Sequence, residues 1–246
     1  MKKKLTLLIS LLFLPTNIAY SDSLSSNITG DLTANVGIVS DYVFHGISQS
    51  DEHPALQGGI DYNHPNGLYL GAWASQTDFN DNDEGTVEVD LYGGYASDWN
   101  NISYDLSIIH YVYPGASNQL NYDFTELTLS FSKNFKETSF GVGFNYSPEY
   151  FGDSGDALYS QLSFERSVPY DLTFSGHIGY QDIDDEVAFG TPDYADWRLS
   201  LGYNLKGFNL DLAYTDTDLN TTECSDGCEG RFILSLTKEF NLITNN

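Results

Sequence analysis

The chain has 246 residues, with 10 Lys and Arg against 35 Asp and Glu, so its formal net charge is −25. A chain this acidic lacks the basic surface that nucleic-acid binding needs, and we exclude that class of partner. Aromatic residues make up 15% of the sequence, which excludes the disordered proteins that such a charge would otherwise indicate.

The N-terminus has the pattern of a secretory signal peptide. Three lysines at 2–4 precede an apolar run over 5–14, and Ala19-Tyr20-Ser21 offers small residues for cleavage. The apolar run is too short to cross a bilayer as a helix. We therefore predict that residues 1–21 are removed and that residues 22–246 form the exported domain.

After the signal peptide, apolar and polar residues alternate in twelve segments separated by turn residues. The segments lie near 32–44, 56–62, 68–74, 87–91, 102–108, 127–131, 140–146, 158–164, 172–180, 197–203, 208–214 and 232–240. A period of two indicates strands with one apolar face, and no later apolar run is long enough for a membrane-spanning helix. We predict an all-β fold, a transmembrane antiparallel β-barrel of about twelve strands.

The connections alternate in length. Short ones lie near 63–67, 97–101, 133–137, 167–171 and 204–207, and longer, polar ones lie near 45–53, 77–85, 114–122, 148–156, 181–193 and 216–230. Outer-membrane barrels have short periplasmic turns and longer outer loops, whereas a soluble β-sandwich has no reason for this regularity. The pattern places both termini on the short-turn side.

The charged residues are also distributed differently between the short turns and the long loops. The basic residues near the short turns are Lys133, Lys136, Arg166, Lys206 and Lys238. Acid clusters occupy the long loops, with Asp78, Asp81, Asp83 and Glu84, then Asp182, Asp184, Asp185 and Glu186, then Asp216, Asp218, Glu223, Asp226 and Glu229. These loops are either solvated surface bridged by divalent ions or an electrostatic funnel for cations.

One stretch is more specific than any periodicity. It runs Ser40-Asp41-Tyr42-Val43-Phe44-His45-Gly46-Ile47-Ser48-Gln49-Ser50 and continues over 54–62 and 67–73. It resembles the proteobacterial Gcw_chp family, also described as TorF-type porins, and the resemblance covers the mature chain. It implies a barrel in the outer membrane and specifies no substrate.

If the apolar phase of each strand faces lipid, the other phase faces the barrel interior. The ionisable residues on that phase are Asp61, Glu88, Asp90, Asp105, Glu126, Glu165, His177, Arg198 and Asp211. We predict that they line the lumen. Two interpretations stay open, because twelve strands can enclose either a narrow pore or an interior filled by charge pairs and aromatic rings.

Motifs for catalysis, metal binding or cofactor binding are missing from the sequence. There is no Gly-x-Ser-x-Gly, and the five histidines lack the spacing of metal ligands. A loop beginning at Asp78 resembles a calcium loop, but Asp83 and Val89 replace its required Gly and Glu. Cys224 and Cys228 are expected to form a local disulfide in an oxidising envelope. We predict no enzyme, no metal site and no cofactor.

These observations predict an outer-membrane porin that allows passive, weakly cation-favouring diffusion of small solutes. Its partners would be outer-membrane lipids and small solutes or cations. One alternative is a non-conducting structural or adhesion barrel whose acidic outer loops bind partners or divalent cations. Another is a gated carrier of one small metabolite.

Overall fold

The computed structural model describes residues 29–80 and 85–244. The predicted signal peptide, residues 1–21, lies outside the described residues, as do Asp81, Asp83 and Glu84 of the predicted acid clusters. Within the described ranges, no helix has the length and apolar character needed to cross a membrane.

The described chain consists almost entirely of strands. They are β1 (Asp31–Val39), β2 (Val43–Phe44), β3 (Ile47–Ser48), β4 (Ala55–Asn63), β5 (Leu68–Gln76), β6 (Val87–Trp99), β7 (Ile102–Val112), β8 (Phe124–Phe135), β9 (Thr138–Ser147), β10 (Ala157–Val168), β11 (Leu172–Ile183), β12 (Tyr194–Leu205), β13 (Phe208–Thr217) and β14 (Arg231–Ile243), with one short helix, α1 (Glu186–Phe189), between β11 and β12.

Twelve of these strands, β1 and β4 to β14, form one closed antiparallel barrel. Each pairs with its neighbour in sequence, and β1 closes the ring against β14, with Val36 opposite Lys238. Closure leaves no unpaired strand edge, which is the condition for a sheet to reside in lipid. The predicted fold class is confirmed.

The period of two in the sequence separates the two faces of the wall. On β7, Leu106 and Ile108 are 57% and 51% exposed, whereas Asp105 and Ser107 are buried. The same contrast recurs around the ring, so the outside of the barrel is apolar. A soluble protein does not expose a continuous apolar belt of this extent, but a barrel in lipid does.

The two ends of the barrel differ as predicted. The chain ends of the described barrel, Asp31 of β1 and Ile243 of β14, lie at one end together with the connections 64–67, 100–101, 136–137, 169–171 and 206–207, and we call this the short-turn end. The connections 40–54, 77–86, 113–123, 148–156, 184–193 and 218–230 lie at the other, the long-loop end. Lys136 and Lys206 occupy short turns, and Lys238 holds its Nζ 4.8 Å from the centre of the Phe208 ring on the outer face.

Outward aromatic side chains cluster at both ends of the wall. Tyr95, Trp99, Phe135, Tyr170 and Phe208 are exposed near the short-turn end, and Tyr146, Tyr180 and Phe232 are exposed near the long-loop end. Amphipathic rings prefer the two interfaces of a bilayer, so these belts are typical of outer-membrane barrels.

The first long connection lies at its predicted end of the barrel but folds inward. The sequence pattern extended the first strand toward Phe44, which is wrong, and it gave a long polar connection near 45–53, which the structure has over 40–54 with part of it inside the barrel. Strand β1 ends at Val39, and the chain then turns into the barrel, where Tyr42 is buried and Phe44 packs against a buried cluster. These apolar side chains leave water by contact with the inner wall, which is why they occur in a loop.

Candidate functional site

The segment 41–50, which we call the inward hairpin, is a compact unit inside the barrel. Its strands β2 and β3 pair with each other, and Gln49 donates its backbone N–H to the Tyr42 carbonyl at 2.6 Å. Tyr42 donates its own N–H to the Ser50 hydroxyl at 2.9 Å, and Ser48 donates to the Asp41 carboxylate at 2.6 Å. The two ends of the hairpin are therefore adjacent.

The tip of the inward hairpin lies against strands β10 to β13. The His45 ring stacks on Tyr159 with centroids 3.5 Å apart and planes 9° apart, and its Nδ1 lies 2.9 Å from Oε1 of Gln181. Gly46 has φ of 84°, and a Cβ there would lie 2.6 Å from Cγ2 of Thr217. Both the backbone angle and the close approach to the wall require glycine at this position.

The body of the hairpin contacts the opposite wall. The Tyr42 hydroxyl donates to Oε1 of Glu88 at 2.7 Å, and its ring meets Trp73 edge-on at 5.4 Å. Phe44 meets Tyr111 edge-on at 5.8 Å. In the ring of twelve strands, β6 and β12 are six strands apart and face each other. The hairpin therefore crosses the lumen from one wall to the other.

The last long loop, 218–230, and the start of β14 bind the hairpin on its side nearest the long-loop end. Ser48 donates its backbone N–H to the Gly227 carbonyl at 2.8 Å. Arg231, at the start of β14, binds the Asp41 carboxylate at 3.0 Å and that of Glu52 at 3.2 Å. A disulfide joins Cys224 and Cys228 and closes the loop tip that carries Gly227.

Three predicted lumen residues lie under the hairpin in the long-loop half. Glu88, Asp90 and Glu126 face inward and are only 2%, 0% and 2% exposed. Glu88 accepts hydrogen bonds from Tyr42 and Tyr113, both at 2.7 Å. Asp90 lies near the carboxyl groups of both Glu88 and Glu126, so three acidic side chains are buried together. With the hairpin in place, these carboxylates contact protein rather than water.

Stacked aromatic rings form a second cluster in this half. Tyr122 and Phe151 stack with centroids 4.4 Å apart, and Phe79 packs edge-on against both rings. Tyr113, just beyond β7, joins them and contacts Phe151 at 5.6 Å. The hairpin and this cluster together occupy the long-loop half of the lumen.

A further acid at the hairpin tip was not among the predicted lumen residues. Asp196 is fully buried, accepts from the Tyr159 hydroxyl at 2.8 Å and binds Nε2 of His177 at 2.8 Å. The sequence could have identified Asp196, because it lies two residues before Arg198 on β12 and therefore points to the same, inward side of the wall. His45, by contrast, gave no sign of an inward position.

The short-turn half of the lumen is different, because its inward side chains keep partial contact with solvent. Arg198 and Asp211 form an ion pair at 2.9 Å with 30% and 24% of their side chains exposed. Asp61 and Glu165 are half-buried, and Asp61 accepts a hydrogen bond from Tyr92.

Two more carboxylates face inward in this half. Asp105 was predicted to do so, but it is buried and accepts a hydrogen bond from the Tyr69 hydroxyl at 2.8 Å. Glu239 on β14 was not among the predicted lumen residues, and it adds another half-buried carboxylate. The ionisable side chains that line the short-turn half are therefore mainly acidic.

Two groups of exposed side chains at the long-loop end could hold a cation. The ligand atoms of Asp51, His53 and Asp78 lie within 4.8 Å of one another, and so do those of Glu52, Asp226 and Glu229. Oxygen-rich sites of this kind suit hard cations such as Ca²⁺. Exposed carboxylates form such groups in many proteins that bind no ion.

Comparison with known proteins identifies one family. A protein-family model described as a bacterial protein of unknown function (Gcw_chp) matches residues 25–240. No curated protein matches the sequence.

Three solved barrels share the architecture. The KdgM porin is 9% identical with a TM-score of 0.57, over 85% of this chain and 99% of that one. The NanC porin is 11% identical with a TM-score of 0.56, over 86% and 100%. An outer membrane channel from Pseudomonas putida F1 is 11% identical with a TM-score of 0.50, over 92% and 100%. At these identities the similarity concerns the fold.

Proposed function

The chain belongs to the Gcw_chp family, and from the closed barrel we propose that the protein is an outer-membrane channel for passive diffusion of small solutes. The observation that carries the proposal is the short-turn half of the lumen, which is polar and reached by solvent. The apolar outer face and the similarity in fold to porins support it.

The lumen charge supports a preference for cations. Half-buried carboxylates in the solvent-reached chamber belong to Asp61, Glu165 and Glu239, while Arg198 is paired with Asp211. Fixed carboxylates attract cations and repel anions over roughly 10 Å at 0.1 M salt. A narrow lumen keeps every permeating ion within that distance of the wall.

The test is electrical recording of the purified full-length mature protein in planar bilayers. Discrete conductance steps, with a reversal potential in a potassium chloride gradient that favours K⁺, are the expected result. Silence under all conditions would contradict the channel, and anion preference would contradict the electrostatic part alone.

A second function is favoured by a specific observation. The occupied long-loop half of the lumen and the two exposed oxygen-rich groups fit a closed barrel that binds divalent cations at its outer surface. In that case Ca²⁺ would raise the melting temperature of the parent protein. An Asp51→Asn, Asp78→Asn double variant would lose the part of the shift that comes from the first group, and neither protein would conduct.

A further inference from the structure

We propose that the inward hairpin, residues 41–50, is a gate that leaves and re-enters the lumen as one unit. In the docked position it closes the long-loop half of the barrel, and in the undocked position it opens a continuous path. The inference rests on the proposed channel function, which it deepens by identifying the element that controls permeation.

The hairpin can move without breaking the barrel. Strands β1 and β4 pair up to Val39 opposite Ala55, and the hairpin lies wholly beyond this last pair. Its ends are adjacent, and its internal hydrogen bonds go with it. Asp51 and Glu52, with φ of 49° and 58°, turn the chain back toward β4. The hairpin can therefore move about its two connections to the wall, one between Val39 and Asp41 and the other at Asp51 and Glu52. Such a movement leaves the hydrogen bonds between the barrel strands intact.

The contacts that hold the hairpin to its surroundings are separate and mostly made by side chains. Strands β2 and β3 form their own two-stranded sheet, apart from the barrel sheet. The hydrogen bonds and ion pairs that reach across join Tyr42 to Glu88, His45 to Gln181, Asp41 to Arg231, Ser48 to Gly227 and Gln49 to Asp78. These few separate contacts can break and re-form. A hairpin whose strands were paired with the barrel sheet by continuous backbone hydrogen bonds could not do so as easily.

Docking of the hairpin also has an unfavourable contribution to its free energy. Glu88 and Asp90 are 2% and 0% exposed beneath the docked hairpin, and Asp90 lies near the carboxyl groups of Glu88 and Glu126 with no positive charge among its described neighbours. A buried carboxylate without compensation destabilises the state that buries it. Undocking returns water to these groups, so the docked and undocked states are closer in free energy than the contacts alone would suggest.

The first experiment removes the gate. Because the hairpin ends are adjacent, residues 42–50 can be replaced by two or three glycines between Asp41 and Asp51. The expected result is a steady conductance several-fold above that of the parent, which should be small or interrupted by long closures. Heat-modifiable mobility in gel electrophoresis would establish that the shortened barrel is folded.

The second experiment locks the gate and does not depend on the shortened chain. A Cβ at Gly227 would lie 3.3 Å from Cβ of Ser48, close to the separation in a disulfide of about 3.8 Å. Ser48→Cys with Gly227→Cys, in a Cys224→Ser, Cys228→Ser background, should conduct when reduced and close when oxidised. Gly227 has φ of 77°, so the cysteine there strains the loop tip, and heat-modifiable mobility of the reduced protein establishes that the barrel is folded. Ser48→Cys alone in the same background is the matched control and should not respond to oxidation.

The outcomes separate the gate from the channel. Conductance that rises on deletion and falls on cross-linking supports both. Equal, steady conductance in parent, shortened and oxidised cross-linked proteins would overturn the gate and leave the channel standing. Silence of the folded shortened barrel and of every other form would overturn the channel, and the gate with it.

Discussion

At the scale of single residues, the half-buried carboxylates of the short-turn half determine the predicted selectivity. We expect Asp61→Asn with Glu165→Gln to move the reversal potential toward zero, because two fixed negative charges are removed where solvent reaches the lumen. The hydrogen bond that Tyr92 donates to Asp61 does not depend on the charge, since the amide oxygen of the substituted side chain still accepts it. Stability should change by about 1 kcal/mol or less.

The control for this prediction is Glu137→Gln. Glu137 is exposed in a short turn and lies outside the lumen, so its substitution changes the net charge of the protein by one unit without changing the chamber. An equal effect of the control and the lumen variant would show that overall charge, rather than lumen charge, selects ions. The effect should also shrink at 1 M salt, where screening acts within about 3 Å.

His45 predicts a dependence of the gate on pH. Burial lowers the pKa of His45 to about 4, against partial opposition from Asp196 and Gln181, while His177 acts with burial. Undocked, the imidazole would titrate with a pKa near its ordinary value of about 6.5. Between these values the undocked form binds a proton that the docked form does not, so docking weakens as pH falls from about 6.5 toward 4. The carboxylates that docking covers act in the opposite direction, because protonation removes the cost of burying their charge. We therefore expect the open probability of the parent to rise relative to that of a variant without the imidazole as the pH is lowered from about 7.5 to about 5.

Two variants test the assignment to His45. His45→Gln keeps a polar side chain that does not titrate, so it should lack the contribution of the imidazole and show what the carboxylates do alone. His177→Gln, which alters the imidazole that binds Asp196, should retain the contribution of His45. A response that disappears with His177→Gln but survives His45→Gln would place the titrating group on β11 instead.

At the scale of elements, the disulfide of the last loop should matter more for docking than for folding. The ring between Cys224 and Cys228 is short, so the chain entropy that it removes from the unfolded state corresponds to about 2 kcal/mol. Its tip, however, carries the Gly227 carbonyl that accepts the hydrogen bond from Ser48. We expect Cys224→Ser with Cys228→Ser to fold as a barrel and to conduct for a larger fraction of the time.

The measurement is a comparison of the double variant with the parent, both by heat-modifiable mobility and by open probability in bilayers. An assembled variant with the open probability of the parent would mean that the loop clamps the hairpin without its disulfide. Failure to assemble would show that the bond contributes more to stability than its small ring predicts.

Strands and loops were predictable from the sequence to very different degrees. Each barrel strand has one face in an apolar environment and one in a polar interior, so a period of two marks it locally. The inward hairpin has no such local mark, because Tyr42 and Phe44 are buried by contacts with β5 to β7, which are distant in sequence. A connection between strands is expected to be polar because it usually lies in water. This one carries apolar side chains because distant strands bury them.

The candidate site shows the same limit. The inward phase of the strands placed Glu88 and Asp211 on the correct face of the wall, but periodicity says nothing about depth along the barrel. Whether a carboxylate lies in solvent or beneath the hairpin depends on where the hairpin docks. Asp196 is the exception, since its phase on β12 was available and would have identified it as an inward side chain.

At the scale of the whole molecule, the signal peptide and the apolar outer face predict export and outer-membrane insertion. The mature chain should begin near Asp22 and be recovered with the outer membrane after density-gradient separation. N-terminal sequencing and fractionation check this prediction. A retained Met1, or recovery in the soluble periplasmic fraction, would contradict it.

The inward hairpin also imposes an order on folding. Its contacts lie on strands from β5 to β14, so the complete docking surface exists only after β14 has paired with β1. The hairpin is itself among the first segments of the mature chain to be made, yet it must be the last to reach its native position. Contacts with β5 and β6 can form early, but the ion pair of Asp41 with Arg231 needs the last strand, so a segment synthesised near the beginning completes its contacts only near the end of folding.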